Sequence, residues 1–308
     1  IIGLFLKKPN IILTPSPPLS SGLIAILLAK IKGSKSIYNV QEIYPDLLIN
    51  HGQLNNPVLI KFLKTLEGWV YNFSDAVTTI DQNFYNTIKA RIKDLDKLKI
   101  ISNFVDIDLY KSKSSIPLPK IFKKIKGVTD MVYAGNIGVA QEWDLLINLA
   151  IAIKKSPISI WIIGEGVKKD YLESQIKKHK LINIKLLPYQ ERKYMPAINL
   201  FADFHFIAMN KSMEHNGFPS KVYTIMSSGK PLVVVSSKGT PIVSFLEQTN
   251  AAIIVNNHSL VDFKKAVLKL EADKDLRNRI GFNGRKVVEQ RFNKPIIIKK
   301  YIKLVEDI

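Results

Sequence analysis

The 308-residue chain contains no cysteine. That excludes a disulfide framework, a thiolate zinc site and a cysteine nucleophile, and it is compatible with a reducing cytoplasm. Long hydrophobic runs are also missing. The longest apolar stretch, residues 23–29, has seven residues, far short of the ~20 that cross a bilayer. Acidic residues are few, with 26 Asp+Glu against 45 Lys+Arg, a formal charge of +19. The excess is mostly lysine and is spread along the chain, so no basic tail or arm stands out. It favours anionic partners: a membrane surface, nucleic acid or phosphorylated substrates. Nucleic acid is disfavoured, because there is no zinc spacing, RNA-binding aromatic motif or Arg-rich helix. Nor does the chain open on methionine. Ile1-Ile2-Gly3-Leu4-Phe5-Leu6 reads as the end of a helix that stops at Lys7-Lys8-Pro9. With no basic n-region or cleavage site, the first domain is expected to lack its opening elements.

What is present has globular proportions: 46% hydrophobic and 23% charged residues, with a length suited to about two domains. Short β-rich runs alternate with amphipathic helical stretches. Strands are expected at 10–14, 36–40, 76–80 and 99–101, with helices at 20–31, at 57–73 and from 82. A Ser-, Pro- and Lys-rich stretch follows, and a second series has strands at 130–134, 159–163, 183–187, 204–207, 231–235 and 252–255. Its helices are expected at 142–154, 168–180, 220–228, 240–247, 260–270 and 274–289. The expected class is α/β, with two Rossmann-like, doubly wound parallel sheets. The expected division is 1–115, a linker at 116–127, a second domain at 128–294, and a final helix at 295–308, which resembles a segment that crosses back to the first domain in a known family of this architecture. Ligands of such sheets bind beyond the carboxyl ends of the strands.

Two glycine turns lie at such ends. Tyr133-Ala134-Gly135-Asn136-Ile137-Gly138 closes one strand and Ile163-Gly164-Glu165-Gly166 the next. Gly135, Gly138, Gly164 and Gly166 let the backbone approach a ligand, and N–H groups near Asn136 could hold a phosphate or a nucleobase edge. A single turn of this kind is common; two at neighbouring tips reinforce each other. The segment Asn216-Gly217-Phe218-Pro219-Ser220-Lys221 leads into a helix that carries Thr224 and closes at Gly229. Ser220 suits an N-cap. A lysine in the first turn opposes the helix dipole, which makes sense where Lys221 and the helix N–H groups share an anion; the alternative is an ordinary helix with a solvated lysine.

These motifs in series resemble family four of the retaining glycosyltransferases. The series runs Gly-Asn-x-Gly before Ala140-Gln141, then Gly-x-Gly, Pro-Ser-Lys-x-Tyr and Ser-Gly-Lys-Pro. In the first half Ser16-Pro17-Pro18, Asn39 to Asp46, Leu66-Glu67 and Ser102 to Asp106 agree with it. Bacterial capsule, O-antigen and colanic-acid transferases are the most similar branch, and the resemblance covers essentially the whole chain. It implies a GT-B fold, a nucleotide-sugar donor held by the second domain, and a saccharide acceptor, often lipid-linked, at the inner face of the cytoplasmic membrane. By register, two glutamates common in the family fall on Asn216 and Thr224, and Thr224 could still bond a ribose hydroxyl. A family histidine falls near Gln41, which cannot act as a base but can hydrogen-bond a sugar. Lys221 and the Ser220 helix start remain as the phosphate partners.

Glu42 either orients the acceptor hydroxyl or is a surface carboxylate. Asn103 and Asp106 either contact the cleft or close an Asx-type turn, and Glu214 and His215 either touch the donor sugar or are solvated. Because the family resembles a metal-independent class and the histidines lack metal-ligand spacing, neither a metal nor another cofactor is expected. The basic surface and the apolar helix at 19–31 are compatible with peripheral attachment to an anionic membrane. A silent nucleotide-sugar-binding or assembly protein and a GT-B sugar-nucleotide epimerase remain the alternatives.

Overall fold

The computed structural model describes residues 2–50, 52–110, 116–214 and 218–308. The chain folds as two compact units. One runs up to Asn103 and regains Pro295–Ile308; the other is Phe104–Lys294.

The first unit contains α1 (Ile2–Phe5), β1 (Ile11–Ser16), α2 (Leu19–Lys32), β2 (Lys35–Val40), α3 (Asp46–Asn50), α4 (Pro57–Phe73), β3 (Ala76–Thr79), α5 (Gln82–Lys89) and β4 (Leu98–Ile100). Its four strands are parallel in the order β1-β2-β3-β4. Local chemistry sets the helix ends. The Asn56 side chain accepts the N–H groups of Val58 and Leu59 with Pro57 in the first turn of α4, and Gly33 closes α2 in the left-handed region. One sheet face buries Tyr38, Val40 and Val77 against Ile26 of α2, Val70 and Tyr71 of α4 and Ile88 of α5. The other face buries Ile37, Ala76 and Ile101 against Ile297 and Leu304 of the last helix, Lys294–Glu306.

The second unit contains β5 (Thr129–Ala134), α6 (Trp143–Ala152), β6 (Ile158–Ile163), α7 (Lys169–His179), β7 (Ile184–Leu187), α8 (Met195–Phe201), β8 (Phe204–Ala208), α9 (Lys221–Ser227), β9 (Leu232–Val235), α10 (Pro241–Glu247), β10 (Ala252–Val255), α11 (Leu260–Ala272) and α12 (Lys274–Arg291); the last helix is α13. All six strands are parallel, in the order β10-β9-β8-β5-β6-β7. Strands β6, β8 and β9 are buried at every position, as expected where helices cover both faces of a sheet. The winding direction reverses between β5 and β8, so a crevice opens at their carboxyl ends.

The change of unit falls between Asn103 and Phe104, earlier than composition suggested. The Val105 N–H donates to Phe292 O, and its carbonyl accepts from Lys294 N–H, which ties this segment to the end of α12. Residues 116–127, read as a linker from their Pro and Lys content, pack onto the second sheet. The Phe122 ring stacks on Trp161, 5.3 Å between centroids, beside Phe201. Lys124 pairs with Asp130 and Asp203. Burial of an aromatic ring outweighs the loop-like composition around it.

Candidate functional site

The reversal point brings two of the anticipated segments together. The turn after β5 carries Gly135, and the loop after β8 leads to Lys221 at the first position of α9. A β-carbon on Gly135 would lie 2.5 Å from Lys221 Nζ, so the lysine side chain runs across the glycine. The same ammonium stands 3.9 Å from the centroid of the Tyr133 ring, an attractive cation–π arrangement. It has no hydrogen-bond acceptor or carboxylate partner among the described residues. Burial alone pushes its pKa down from 10.5 to about 8, since a desolvated cation sheds its proton more readily.

The turn itself is held from below. The Tyr133 hydroxyl donates to the carbonyl of Asn136 at 2.7 Å, and the Trp143 indole N–H donates to the carbonyl of Gly138 at 2.7 Å. The two rings meet edge to face, with centroids 5.1 Å apart. Ile137 bonds through both its backbone groups, to Glu165 O and from Lys168 N–H. With these carbonyls engaged, the N–H groups of Asn136 and Gly138 make no hydrogen bond among the described residues. The two free N–H groups flank that of Ile137, which is committed to Glu165 O, and they are the donors this turn has left for an anion. The neighbouring turn lies flush against it. Gly164 has φ +149°, and its β-carbon would sit 2.0 Å from the Gly135 carbonyl oxygen; that of Gly166 would sit 2.4 Å from Ile137 O. Only glycine permits this backbone-on-backbone contact. A cavity of about 480 Å³ opens beside the two turns, lined among others by Asn136, Gly164, Tyr189, Arg192 and Met195.

Several expectations for α9 need correction or relocation. Ser220 does not cap the helix. Its backbone is already helical, its side chain makes no capping bond, and the Pro219 carbonyl accepts the first bond, from Val222 N–H at 3.0 Å. Phe218 packs with Tyr223 and Phe245 at 5.2 Å to each, so its ring belongs to an aromatic cluster. The Thr224 hydroxyl donates to Lys221 O at 2.9 Å. Glu214 is buried: its Oε2 accepts from Ser237 N–H at 2.8 Å and lies 2.9 Å from His258 Nε2. Burial pushes this carboxyl up, but the Ser237 and His258 hydrogen bonds outweigh it and hold it below the usual range. Asn216, Gly217 and His215 lie outside the described residues.

In the first unit, Gln41 sits just past β2 in a chain of amides. Asn103 Nδ2 donates to Gln41 Oε1 at 2.8 Å, Gln41 Nε2 donates to Asn39 Oδ1 at 2.8 Å, and Asn39 Nδ2 donates to the Tyr301 hydroxyl at 3.0 Å. Ser16 Oγ pins the loop by donating to Glu42 O at 2.7 Å and accepting Gln41 N–H at 3.1 Å. The Glu42 carboxyl has no described partner, and burial alone raises its pKa. Asp46 and Glu67 are structural: Arg91 bridges them, and the Tyr71 hydroxyl donates to Glu67 at 2.8 Å. Asp106 closes a turn by accepting Asp108 N–H at 3.2 Å. The chain has Asp-x-Asp triplets at 94–96, 106–108 and 273–275; the first two use their first carboxylate for such a turn, and Asp273 caps α12 by accepting Leu276 N–H. No cluster of three or more His, Asp or Glu side chains suited to a metal occurs among the described residues.

Sequence reasoning missed Tyr133 and Trp143 as supports of the turn, and it missed Tyr189, Arg192 and Met195 as cavity walls. One signal was available. Tyr133 stands two residues before Gly135 at the end of β5, where alternate positions share a side of the sheet.

Comparison with known proteins bears on the fold and the family. The chain is similar to the probable glycosyltransferase WbjE of Pseudomonas aeruginosa, 22% identical over 307 residues, which is 96% of this chain and 74% of that protein. It is similar to the putative colanic acid biosynthesis glycosyl transferase WcaI of Escherichia coli, 24% identical over 254 residues, 78% of this chain but 60% of that protein. Among solved structures it superposes on Anabaena HepE, crystallised with UDP and glucose. The TM-score is 0.76 at 16% identity, over 96% of this chain and 78% of that one. These neighbours place the two parallel sheets in the GT-B fold. The family model "Glycosyl transferases group 1" matches residues 117–287, more than half the chain and nearly all of the unit that holds Lys221, and the protein belongs to that family.

Proposed function

We propose that the protein moves a sugar, with retention of anomeric configuration, from a nucleoside-diphosphate sugar to a lipid-linked saccharide during assembly of a bacterial surface polysaccharide. One observation carries this reading: a desolvated ammonium without a carboxylate, laid against a glycine turn with free N–H groups at the strand reversal. Such a group needs an anion, and a diphosphate is the size of anion that spans Lys221 and the turn. The cavity beside Gly164 takes the nucleoside. UDP is the first nucleotide to test, since HepE was crystallised with it.

In the transfer, the acceptor oxygen bonds to the anomeric carbon as that carbon's bond to the diphosphate oxygen breaks. The hydroxyl proton passes to the departing phosphate oxygen. Negative charge builds on the leaving diphosphate, and Lys221 with the N–H groups of Asn136 and Gly138 stabilises it. In this reading they supply the positive field that a divalent cation provides elsewhere, and no cofactor is required. Gln41 and Asn103 orient sugar hydroxyls, and Glu42 positions the acceptor.

The test is a panel of radiolabelled nucleotide sugars incubated with membrane lipid extract. Sugar transfer supports the proposal. Donor epimerisation, or binding without turnover, would replace it with an epimerase or a silent binding protein.

A further inference from the structure

The segment Ser228-Gly229-Lys230-Pro231 stands out in the sequence but takes no part in the site above. It follows the last residue of α9, about 9 Å along the axis from Lys221, where the chain turns into β9 at the amino ends of the strands. Gly229 turns there with φ +65°, and α12 packs so closely on it that a β-carbon on Gly281 would lie 1.9 Å from Gly229 O. A cavity of about 600 Å³ opens beside this turn, with Tyr110, Leu200, Ser228, Lys230 and Arg285 among its walls. That volume is within the range of small-molecule sites. No carboxylate lines it among the described residues.

The lining selects a ligand. Lys230 is half-buried, and its ammonium has no hydrogen-bond acceptor or carboxylate partner among the described residues. Burial pushes its pKa down, with Lys124 and Arg277 adding to that and Asp203 opposing it. Asp203 is itself committed, accepting from Lys124 Nζ at 2.7 Å and from Asp130 N–H at 2.8 Å. Cations at the end of a helix can simply serve its carbonyls. Arg285 does so in part: Nη1 donates to the carbonyls of Ser227 and Tyr110, and Nε pairs with Glu289. Its Nη2 makes no hydrogen bond among the described residues, and Lys230 serves no carbonyl there. Ser228 is buried, and its Oγ donates to Ile225 O at 2.6 Å, so toward a ligand this oxygen only accepts. Two cations call for an anion of about −1.5 to −2, the charge of a phosphomonoester at neutral pH. The accepting hydroxyl calls for a donor on the same molecule.

We infer that this cavity is a second binding site, for a small hydroxylated phosphomonoester of sugar-phosphate size. Lys230 and Arg285 Nη2 hold the phosphate, a ligand hydroxyl donates to Ser228 Oγ, and the carbon skeleton lies on Tyr110 and Leu200. The inference does not rest on the proposed function. The cavity and the glycine turn stand at opposite ends of α9, so both can be filled at once.

Calorimetry of the full chain with glucose 6-phosphate tests it. Glucose 6-phosphate binds equally with and without saturating UDP. Inorganic phosphate binds about threefold weaker or more, having no hydroxylated skeleton, and glucose does not bind. Lys230→Met weakens glucose 6-phosphate about tenfold or more, while Lys230→Arg retains most of the affinity. Removing an unpaired, half-buried charge does not endanger the fold, and unchanged UDP affinity in Lys230→Met verifies this. Lys221→Met keeps glucose 6-phosphate binding. The inference is overturned if glucose 6-phosphate fails to bind at millimolar concentration, if UDP displaces it, or if Lys230→Met binds it like the parent. Binding of citrate in its place overturns the assignment to a phosphomonoester. UDP binding that persists through such a failure leaves the proposed function standing; absent UDP binding with glucose 6-phosphate still held does the reverse.

Discussion

The Lys221 ammonium lies 3.9 Å from the centre of the Tyr133 ring, and the Tyr133 hydroxyl holds the Asn136 carbonyl at 2.7 Å. One side chain thus supports the cation with its face and shapes the glycine turn with its edge. A diphosphate held by both would depend on Tyr133 without touching it.

Replacing Lys221 separates affinity from stability. Lys221→Met removes a desolvated charge, and at pH 7 it is expected to raise stability by about 1–3 kcal/mol while weakening UDP binding about a hundredfold. Urea unfolding and calorimetry measure the two effects. Equal UDP affinity in parent and variant would take Lys221 out of the site.

The same lysine sets a pH dependence. Its folded pKa, about 8, lies below its ordinary 10.5, so between these values the unfolded chain binds more protons. Stability relative to Lys221→Met therefore rises with pH from about 8 to 10.5. Diphosphate binding requires the charged form, so UDP affinity falls above about pH 8 in the parent and stays flat in Lys221→Met. Calorimetry from pH 7 to 9.5 checks the slope.

Tyr133 can be divided chemically. Tyr133→Phe keeps the ring beneath the ammonium and loses the bond to Asn136; Tyr133→Leu loses both. The expected order of UDP affinity is parent, then Phe at about threefold weaker, then Leu at thirtyfold or more, given ~1–2 kcal/mol for a buried cation–π contact. Equal losses for Phe and Leu would show that the ring contributes nothing.

The two turns differ in what they tolerate. Gly164→Ala drives a methyl into the Gly135 carbonyl, where neither backbone can yield, and is expected to cost more than about 3 kcal/mol. Gly135→Ala meets the flexible end of Lys221. It should cost about 1–2 kcal/mol of backbone strain and weaken UDP binding more than it weakens the fold. Unfolding curves beside binding isotherms for the two variants test this.

In the first unit, Gln41→Ala cuts the amide chain and is expected to lower kcat about tenfold without changing UDP affinity. Glu42 is raised above the ordinary carboxyl value by burial. If its charged form orients the acceptor, kcat/KM declines on the acid side at a pH above 4.5. Glu42→Gln should lack that limb.

Much of the fold was legible because buried parallel strands are short apolar runs between breakers: Val-Val-Val after Pro231, Ile-Trp-Ile-Ile before Gly164. Helix α8 was missed because Pro196 in its first turn and the polar Glu191-Arg192-Lys193 ahead of it imitate a loop. The stretch at 116–127 reads as a linker because its Pro- and Lys-rich composition hides a single buried ring, Phe122. At the site, both glycine turns and Lys221 were visible as residue types. That Ser220 would not cap, that Thr224 would turn back on its own helix, and that Lys221 would run over Tyr133 depend on backbone angles and burial, which spacing does not encode.

The amide chain from Asn103 to Tyr301 also has a polarity. Each nitrogen in it is committed to the next oxygen, so every flip is locked by its neighbour, and the open end at Asn103 presents a carbonyl lone pair. A visitor there is met by an acceptor. Under the proposed function, a sugar hydroxyl that donates there finds an acceptor already oriented, which an ether or deoxy position would not use.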